Sequence, residues 1–501
     1  MRVKKLLFLT LALSLLTACG AAPQAANRSL MGMDQEEWRS LSNSASLESL
    51  TELDENRDRQ LSVTESGLDA EAFRAIDVDG NGRISTVELL REAMRQAEAF
   101  QKADPQPEPE APKIQPPSVT PLSLEARPNQ AELFIDADQI YPAMLESMRA
   151  AQDSIQIDYF LLGGDIGKQI AEILAERQRA GVTIQVMLDG KAGIAGPTQS
   201  QVKEVMSRMK LGSIPFKSFP IKFMPQNRGM LANRFQIDHN KLVVVDRRVA
   251  WVGSMNLFDF ATMNHDLMAR IEGPAAAELS RMMSEEWGVP LPAPKDPVRI
   301  LPIVPEQSSS MIRVSQTGLQ QRNTKDLLLA NIASARRTID VAMFEWSDLD
   351  IVKALGDAKR RGVQVRVLLD RHASDEKYMP WLRFTELYGI PNLYAAKHLM
   401  KEGIELKWYD AQLDMQELHM KLAIFDGEKT MFGSTNYTFQ AFNNFRETGV
   451  EVTGGPILTQ LTGMFERDWA SRGTRAKSLN AKERITASFV AYMEKKRIGW
   501  W

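Results

Sequence analysis

The chain alternates between short apolar runs and amphipathic stretches, and it does so twice. Ser154–Phe160 alternates toward an apolar strand, Asp165–Arg179 carries apolar residues at helical spacing, and Val182–Leu188 is an apolar run ending at Asp189. Thr338–Phe344, Asp348–Arg361 and Val363–Leu369, ending at Asp370, repeat that order. The pattern predicts strand, helix and buried strand in each copy. Gly181 and Gly362 break the helices at matching places, and Trp287 and Trp469 stand near the two ends. A repeat of about 180 residues is too long for a solenoid and fits a duplicated domain. The expected fold class is α/β: two pseudo-symmetric halves, residues 123–288 and 311–480, each a central mixed sheet flanked by helices. Residues 289–310 are the link between them, where Gly288–Pro305 carries six prolines; residues 481–501 form a C-terminal helix or tail.

Ahead of the repeat the pattern changes. Arg2, Lys4 and Lys5 precede the largely apolar Leu6–Leu16, which is too short to span a bilayer as a helix. It leads into Leu16-Thr17-Ala18-Cys19-Gly20. This resembles a bacterial lipoprotein signal, residues 1–19, in which Cys19 would be acylated and become the mature N-terminus. Gly rather than Asp after Cys19 resembles the pattern sorted to the outer membrane. Residues 20–45 read as a flexible tether, 46–100 as a small helical module, and 101–122 as a linker, with seven prolines in Asp104–Pro121.

The small module is acidic for a reason. Asp77, Asp79, Asn81, Gly82, Arg83, Ser85 and Glu88 fit the twelve-residue EF-hand loop, with Ile84 as its apolar residue. Alternating Asp and Asn side chains, a backbone carbonyl and a bidentate Glu supply the oxygens a calcium ion requires. A second loop reads Asp54, Asn56, Asp58, Gln60, Ser62 and Glu65, with Leu61 as the apolar residue and Arg59 where the turn glycine belongs. The resulting expectation is an EF-hand pair that binds calcium without a catalytic role.

Composition bounds the rest. At 501 residues, 44% hydrophobic and 25% charged, the chain is ordinary globular protein. Net charge is −3, which disfavours a nucleic-acid groove. The first 120 residues carry 13 basic and 19 acidic side chains, so the acidity belongs to the N-terminal part. One cysteine leaves no internal disulfide framework.

The chemistry lies inside the repeat. His239-Asn240-Lys241 is followed by four residues, Asp246, six residues, then Gly253-Ser254-Met255-Asn256. His419-Met420-Lys421, Asp426 and Gly433-Ser434-Thr435-Asn436 follow with identical spacings. On strands, His and Lys at i and i+2 would project to one face, and a returning strand would add Ser and Asn. Lys, Ser and Asn suit the non-bridging oxygens of a phosphodiester; one His can attack phosphorus and the other can protonate the leaving alcohol. No metal is required for that chemistry. Asp266, 27 residues after His239, and Glu447, 28 after His419, are candidates to orient the imidazoles. Asp246 and Asp426 are expected to make structural contacts. His372 and His398 are expected in solvent-facing loops, and His265 either touches substrate or is structural.

These paired motifs resemble the phospholipase D superfamily, whose hallmark is two copies of His-x-Lys-(x)4-Asp followed by Gly-Ser-x-Asn; the likeness covers about Ala131 to Arg475. Ala150–Gly190 and Arg234–Trp287 look like the first half of bacterial cardiolipin synthases, while Gly433–Asn444 also looks like nucleases of the superfamily. The resemblance implies a covalent phosphohistidine, with His239 as nucleophile and His419 as acid by analogy with two-motif lipases. A chain with both motifs need not oligomerise to build a site. Gly190–Gln236 and Arg371–Leu418 should form the rim. The first holds Val202, Val205, Met209, Ile214 and Phe219 interleaved with Lys203, Arg208, Lys210 and Lys217. That mixture fits either a membrane-facing surface or a core face with solvated lysines. The expected function is a membrane-tethered, exported phospholipase D-type phosphodiesterase or phosphatidyltransferase acting on phospholipids. The alternatives are a cardiolipin synthase, a nuclease of the superfamily and a non-catalytic calcium-dependent surface-binding protein.

Overall fold

The computed structural model describes residues 60–66, 70–85, 88, 122–123, 125–189, 197–219, 237–296, 309–317, 323–371, 390–413, 416–479, and 483–484, 487–488 and 490–491. Cys19 and its leader, Asp54, Asn56, Asp58, the linker 101–121 and His372 lie outside the described residues.

In the N-terminal module, β1 (Gln60–Ser62) pairs antiparallel with β2 (Arg83–Ser85), so that Leu61 faces Ile84. The apolar residues of the two proposed loops are therefore joined, and Ile84 packs fully buried. The short helices Val63–Ser66 and Ala70–Ile76 run between the strands.

Each half then builds the same sheet. The first contributes β3 (Arg127–Ile135), β4 (Ser154–Tyr159), β5 (Thr183–Asp189), β6 (Phe216–Phe219), β7 (Lys241–Val245), β8 (Val249–Gly253) and β9 (Leu267–Glu272). The second contributes β10 (Ser310–Thr317), β11 (Thr338–Met343), β12 (Gln364–Leu369), β13 (Glu405–Tyr409), β14 (Lys421–Phe425), β15 (Lys429–Gly433), β16 (Glu447–Thr453) and β17 (Gly473–Arg475). In the first half β4, β5 and β6 are parallel neighbours, as are β11, β12 and β13 in the second. The remaining pairings are antiparallel.

The two sheets are not separate. β10 pairs antiparallel with β3, setting Ile312 beside Arg127, and all fifteen strands form one continuous sheet. The helices Pro274–Trp287 and Pro456–Ser471 supply Leu279, Met282, Leu461 and Phe465 to one central core, which also holds Leu242, Val244, Leu422 and Ile424. Outer cores belong to each half alone. The strands β7 and β14 are buried along their whole length, which is why they read as apolar runs, whereas β4 is equally buried yet alternates, with Ser154, Gln156 and Asp158 as buried polar residues.

The helix Gly164–Arg179 buries Ile166, Ile170, Ile173 and Leu174, one stripe at helical spacing. The left-handed Gly181 and Gly362 terminate the equivalent helices. One open reading is decided and one expectation changes. Helix Pro197–Leu211 turns Val202, Val205 and Met209 into the protein and leaves Lys203, Arg208 and Lys210 in solvent. In this part of the rim, the apolar-basic mixture is thus a core face. His398 sits half-buried on helix Ile390–Lys401, edge-on to Tyr394, and not in a loop. Among the described residues no helix is long and apolar enough to cross a membrane.

Candidate active site

The two histidines lie just ahead of β7 and β14 rather than on them, in segments that cross to the other half. Asp238 bridges to Arg446, with His239 N–H donating to Arg446 O at 2.9 Å. His265 bridges to Leu418, with His419 N–H donating to His265 O at 3.0 Å. Equivalent aspartates at the ends of β5 and β12 fix both segments: Asp189 accepts from Asp238 N–H and Asp370 from Leu418 N–H, each at 2.7 Å.

The bridges decide which carboxylate meets which imidazole. His239 Nδ1 lies 3.0 Å from both oxygens of Glu447, and His419 Nδ1 lies 2.9 and 3.1 Å from those of Asp266. The carboxylate counted from each histidine along its own half therefore serves the histidine of the other half. Sequence spacing identifies the candidates without their exchange, because strand-to-strand bridging between halves leaves no periodic signal.

The serines hold the carboxylates. Ser254 Oγ donates to Asp266 Oδ1 and Ser434 Oγ to Glu447 Oε2, each at 2.5 Å. In this arrangement they orient the acids, a role different from the expected direct contact with phosphate. Each lies just past its strand, after Gly253 or Gly433. A Cβ at Gly253 would meet Leu267 O at 2.1 Å, and at Gly433 it would meet Gly449 Cα at 2.5 Å, so both motifs need glycine for close approach.

The lysines are almost wholly buried, Lys241 at 1% and Lys421 at 3% exposure. Their Nζ atoms donate to His239 O at 3.0 Å and His419 O at 2.5 Å. Asp246 accepts backbone N–H bonds from Gln152, Asp153 and Ser154, and Asp426 from Arg336, Arg337 and Thr338. The motif aspartates thus pin the start of β4 and β11. Both adopt positive φ, 52° and 56°, in the turns after β7 and β14.

Electrostatics follow from burial. It pulls the His239 imidazole well below its ordinary value, with Lys241 and Lys421 adding to the effect. It lowers His419 to about 4 against the opposing pull of Asp266. It lowers Lys241 to about 7 and Lys421 to about 8. Burial raises Glu447 well above the usual carboxylate range. Burial would also raise Asp266, but the charge of His419 and the hydrogen bonds from His419 and Ser254 hold it low.

Several neighbours carried no distinct sequence signal. Phe160 and Phe344 lie against His239 and His419, ring centroids 4.8 and 4.7 Å apart, at the ends of matching strands. Arg446 is buried against Asp158, Asp238 and Glu286. His265 is equally buried, with Nδ1 2.8 Å from Asp136 and Nε2 3.0 Å from Asp468. Its structural alternative is the one the geometry favours.

In the N-terminal module, ligand oxygens of Asp77, Asp79 and Glu88 lie within 4.8 Å of one another. Gly82 makes the sharp turn at φ 78°, and its N–H donates to Asp77 Oδ2 at 2.9 Å. Asn81 donates to Asp79 Oδ2 at 2.9 Å, while Arg83 and Ser85 lie on β2. This donor set fits a hard cation. Gln60 and Ser62 lie on β1, and Glu65 in the helix after it.

Residues 144–287 and 328–469 match the family model described as cardiolipin synthase, PLD-like domain, once in each half. Cardiolipin synthase A of Citrobacter koseri is 26% identical over 335 residues, covering 62% of this chain and 62% of that protein. Its counterpart from Shigella boydii is 27% identical over 328 residues with the same coverage. The matched region therefore spans less than two thirds of these relatives. The crystal structure of phosphatidylserine synthase from Haemophilus influenzae shares the fold at a TM-score of 0.54 and 12% identity, covering 74% of this chain and 95% of that one.

Proposed function

We propose, for a chain that belongs to the cardiolipin synthase, PLD-like domain family, a phosphatidyl-ester phosphodiesterase and phosphatidyltransferase that works through a phosphohistidine. The observation that carries this reading is the crossed pair of imidazoles, each backed by a buried carboxylate from the other half. His239 attacks phosphorus as a neutral imidazole. The P–O bond to the head-group alcohol breaks, and its electron pair goes to an oxygen that takes a proton from His419. Water or a second alcohol then gives its proton to His419 and displaces His239. Lys241 and Lys421 neutralise the phosphate. Burial leaves His419 neutral in the free site. The ionised Asp266 behind it and the negative phosphate of a bound substrate would together draw a proton onto its imidazole, which suits that histidine to the acid role. The test is product analysis on vesicles of phosphatidylglycerol and phosphatidylethanolamine, with and without glycerol. Phosphatidic acid or a transferred phosphatidyl product is expected from wild type, with a loss of at least ~10³-fold in His239→Ala. DNA cleavage without lipid turnover would leave the two-histidine chemistry and remove the lipid.

Acylation of Cys19 would hold the enzyme at its lipid surface. Calcium in the N-terminal module would be held by Asp77, Asp79, Asn81, the Arg83 carbonyl, Ser85 and Glu88, and in the first loop by Asp54, Asn56, Asp58, Gln60, Ser62 and Glu65. Its role is structural. Calorimetric titration of the full chain should show calcium binding that Asp77→Ala weakens, and chelation should leave lipid turnover in place.

A further inference from the structure

The two ends of the site share a backbone and differ in their walls. Leu161 and Glu345 stand at the same place: Leu161 O accepts from Leu257 N–H at 3.2 Å, and Glu345 O accepts from Tyr437 N–H at 3.0 Å. Ile237 and Glu417 each lie two residues before a motif histidine, and accept equivalent N–H bonds from Arg446 and His265. Phe445 and Asn264 each lie two residues before an orienting carboxylate. All three positions are apolar beside His239 and polar beside His419.

The polar wall is rich in acceptors. Asn436 Nδ2 donates to Glu345 Oε2 at 3.3 Å, which directs its amide oxygen elsewhere. That oxygen, on a residue 6% exposed, has no hydrogen-bond partner among the described residues. The same holds for its counterpart Asn256 Oδ1 at the other end, so it is the neighbouring Glu345 that sets the His419 end apart. Glu417 accepts from Asn264 Nδ2 at 3.3 Å. Both glutamates are half-buried and close enough to Lys421 to affect it.

We infer that Glu345 and Glu417, with Asn264 and Asn436, form a hydroxyl-binding wall that selects a polyol head group, of the glycerol type, on the His419 side. This rests on the phosphatidyl-ester reading above and names the residues that would read the alcohol. The wall brings no positive charge to hold a phosphate, so it addresses the part of the substrate beyond it, the alcohol that His419 protonates. Burial raises both carboxyls, Glu417 to about 8. At neutral pH Glu417 thus keeps its proton and donates, while Asn436 Oδ1 accepts. A diol donates and accepts through neighbouring oxygens and matches this mixture. An ammonium only donates, and it meets the Lys421 charge.

The experiment compares cleavage of phosphatidylglycerol, phosphatidylethanol and phosphatidylethanolamine in mixed vesicles by the full chain. Wild type should favour phosphatidylglycerol over phosphatidylethanol. Glu345→Leu, which installs the first-half residue, should lower that ratio about tenfold, chiefly through KM, as expected for one lost hydrogen bond. Glu345→Gln keeps the shape and should lower it less; it carries the test if the leucine variant does not fold. An unchanged ratio in these variants overturns the wall. A loss falling on phosphatidylethanolamine alone overturns the hydroxyl and makes the wall an ammonium site. Wild type that cleaves none of the three lipids removes the phosphatidyl reading itself, and the wall with it.

Discussion

The His239 and His419 ends of the site use one backbone plan and reach different electrostatics. Each imidazole has a carboxylate behind it, a phenylalanine against it and a lysine bonded to its carbonyl. Yet Glu447 is held well above the usual carboxylate range and Asp266 below it. Duplication supplies two equal histidines; the surroundings give them unequal tasks. A neutral imidazole in an apolar wall suits attack on the phosphatidyl phosphorus. An imidazole backed by an ionised carboxylate, in a polar wall, suits proton traffic with the alcohol.

The largest effect should come from breaking the crossed pairing. Asp266→Asn disables the acid histidine, although Asp266 belongs to the half of the nucleophile. It should lower turnover of a natural lipid by about 10²-fold or more. In the first-turnover release of p-nitrophenol from a p-nitrophenyl phosphatidyl ester, a leaving group that needs no proton, most of that loss should vanish, while later turnovers still need His419 as base. Glu447→Gln should lower turnover by a similar factor on both substrates, because it disables the attacking histidine. Pairing within each half predicts the reverse assignment. Rescue of Glu447→Gln but not Asp266→Asn would therefore refute the crossed roles.

A smaller effect should appear in the pH profile. The phosphate is held by ammonium groups whose burial lowers them to about 7 and 8. Raising pH through this range removes their protons, so kcat/KM should fall on the basic side, about tenfold per unit once one lysine has titrated. Lys421→Arg, which keeps its charge throughout, should move the surviving limb toward the Lys241 value. A profile flat to pH 9 would show that neither lysine needs its charge.

How much of this was legible depended on whether the signal was local. The repeat, the motif spacings and most strand ends followed from hydrophobic runs and from residues fixed a few positions apart, such as His239 to Asp246. The predicted strand Ser154–Phe160 ends at Tyr159, and the helix begins one residue before Asp165. What stayed hidden is set by contacts distant in sequence. The joining of the sheets through β3 and β10, the exchange of Asp266 and Glu447, and the serines turned toward carboxylates all depend on how one half meets the other. Glu345 and Glu417 look like ordinary surface residues until the fold places them opposite Leu161 and Ile237.

The smallest expected effect separates two braces at one pseudo-symmetric position. Arg446 and His265 each precede an orienting carboxylate; Arg446, from the second half, is buried among acids of the first, and His265 lies between Asp136 of the first half and Asp468 of the second. Arg446 keeps its charge at every working pH. The two aspartates on His265 outweigh its burial and raise it to about 9. The folded histidine therefore keeps its proton up to about pH 9, whereas the unfolded one releases it near 6.5. Between those values the native state binds the extra proton. The stabilisation is complete below about pH 6.5 and is lost as pH rises through 9, at most about 3 kcal/mol in all. The gap in melting temperature between wild type and His265→Gln should accordingly be widest at pH 6 and close by pH 9.5. The central core is common to both halves, so the brace at His265 should be felt in the melting of the fused sheet as a whole. A gap that stays constant across this range would mean that His265 holds Asp136 and Asp468 without its charge, and that the two braces differ only in shape.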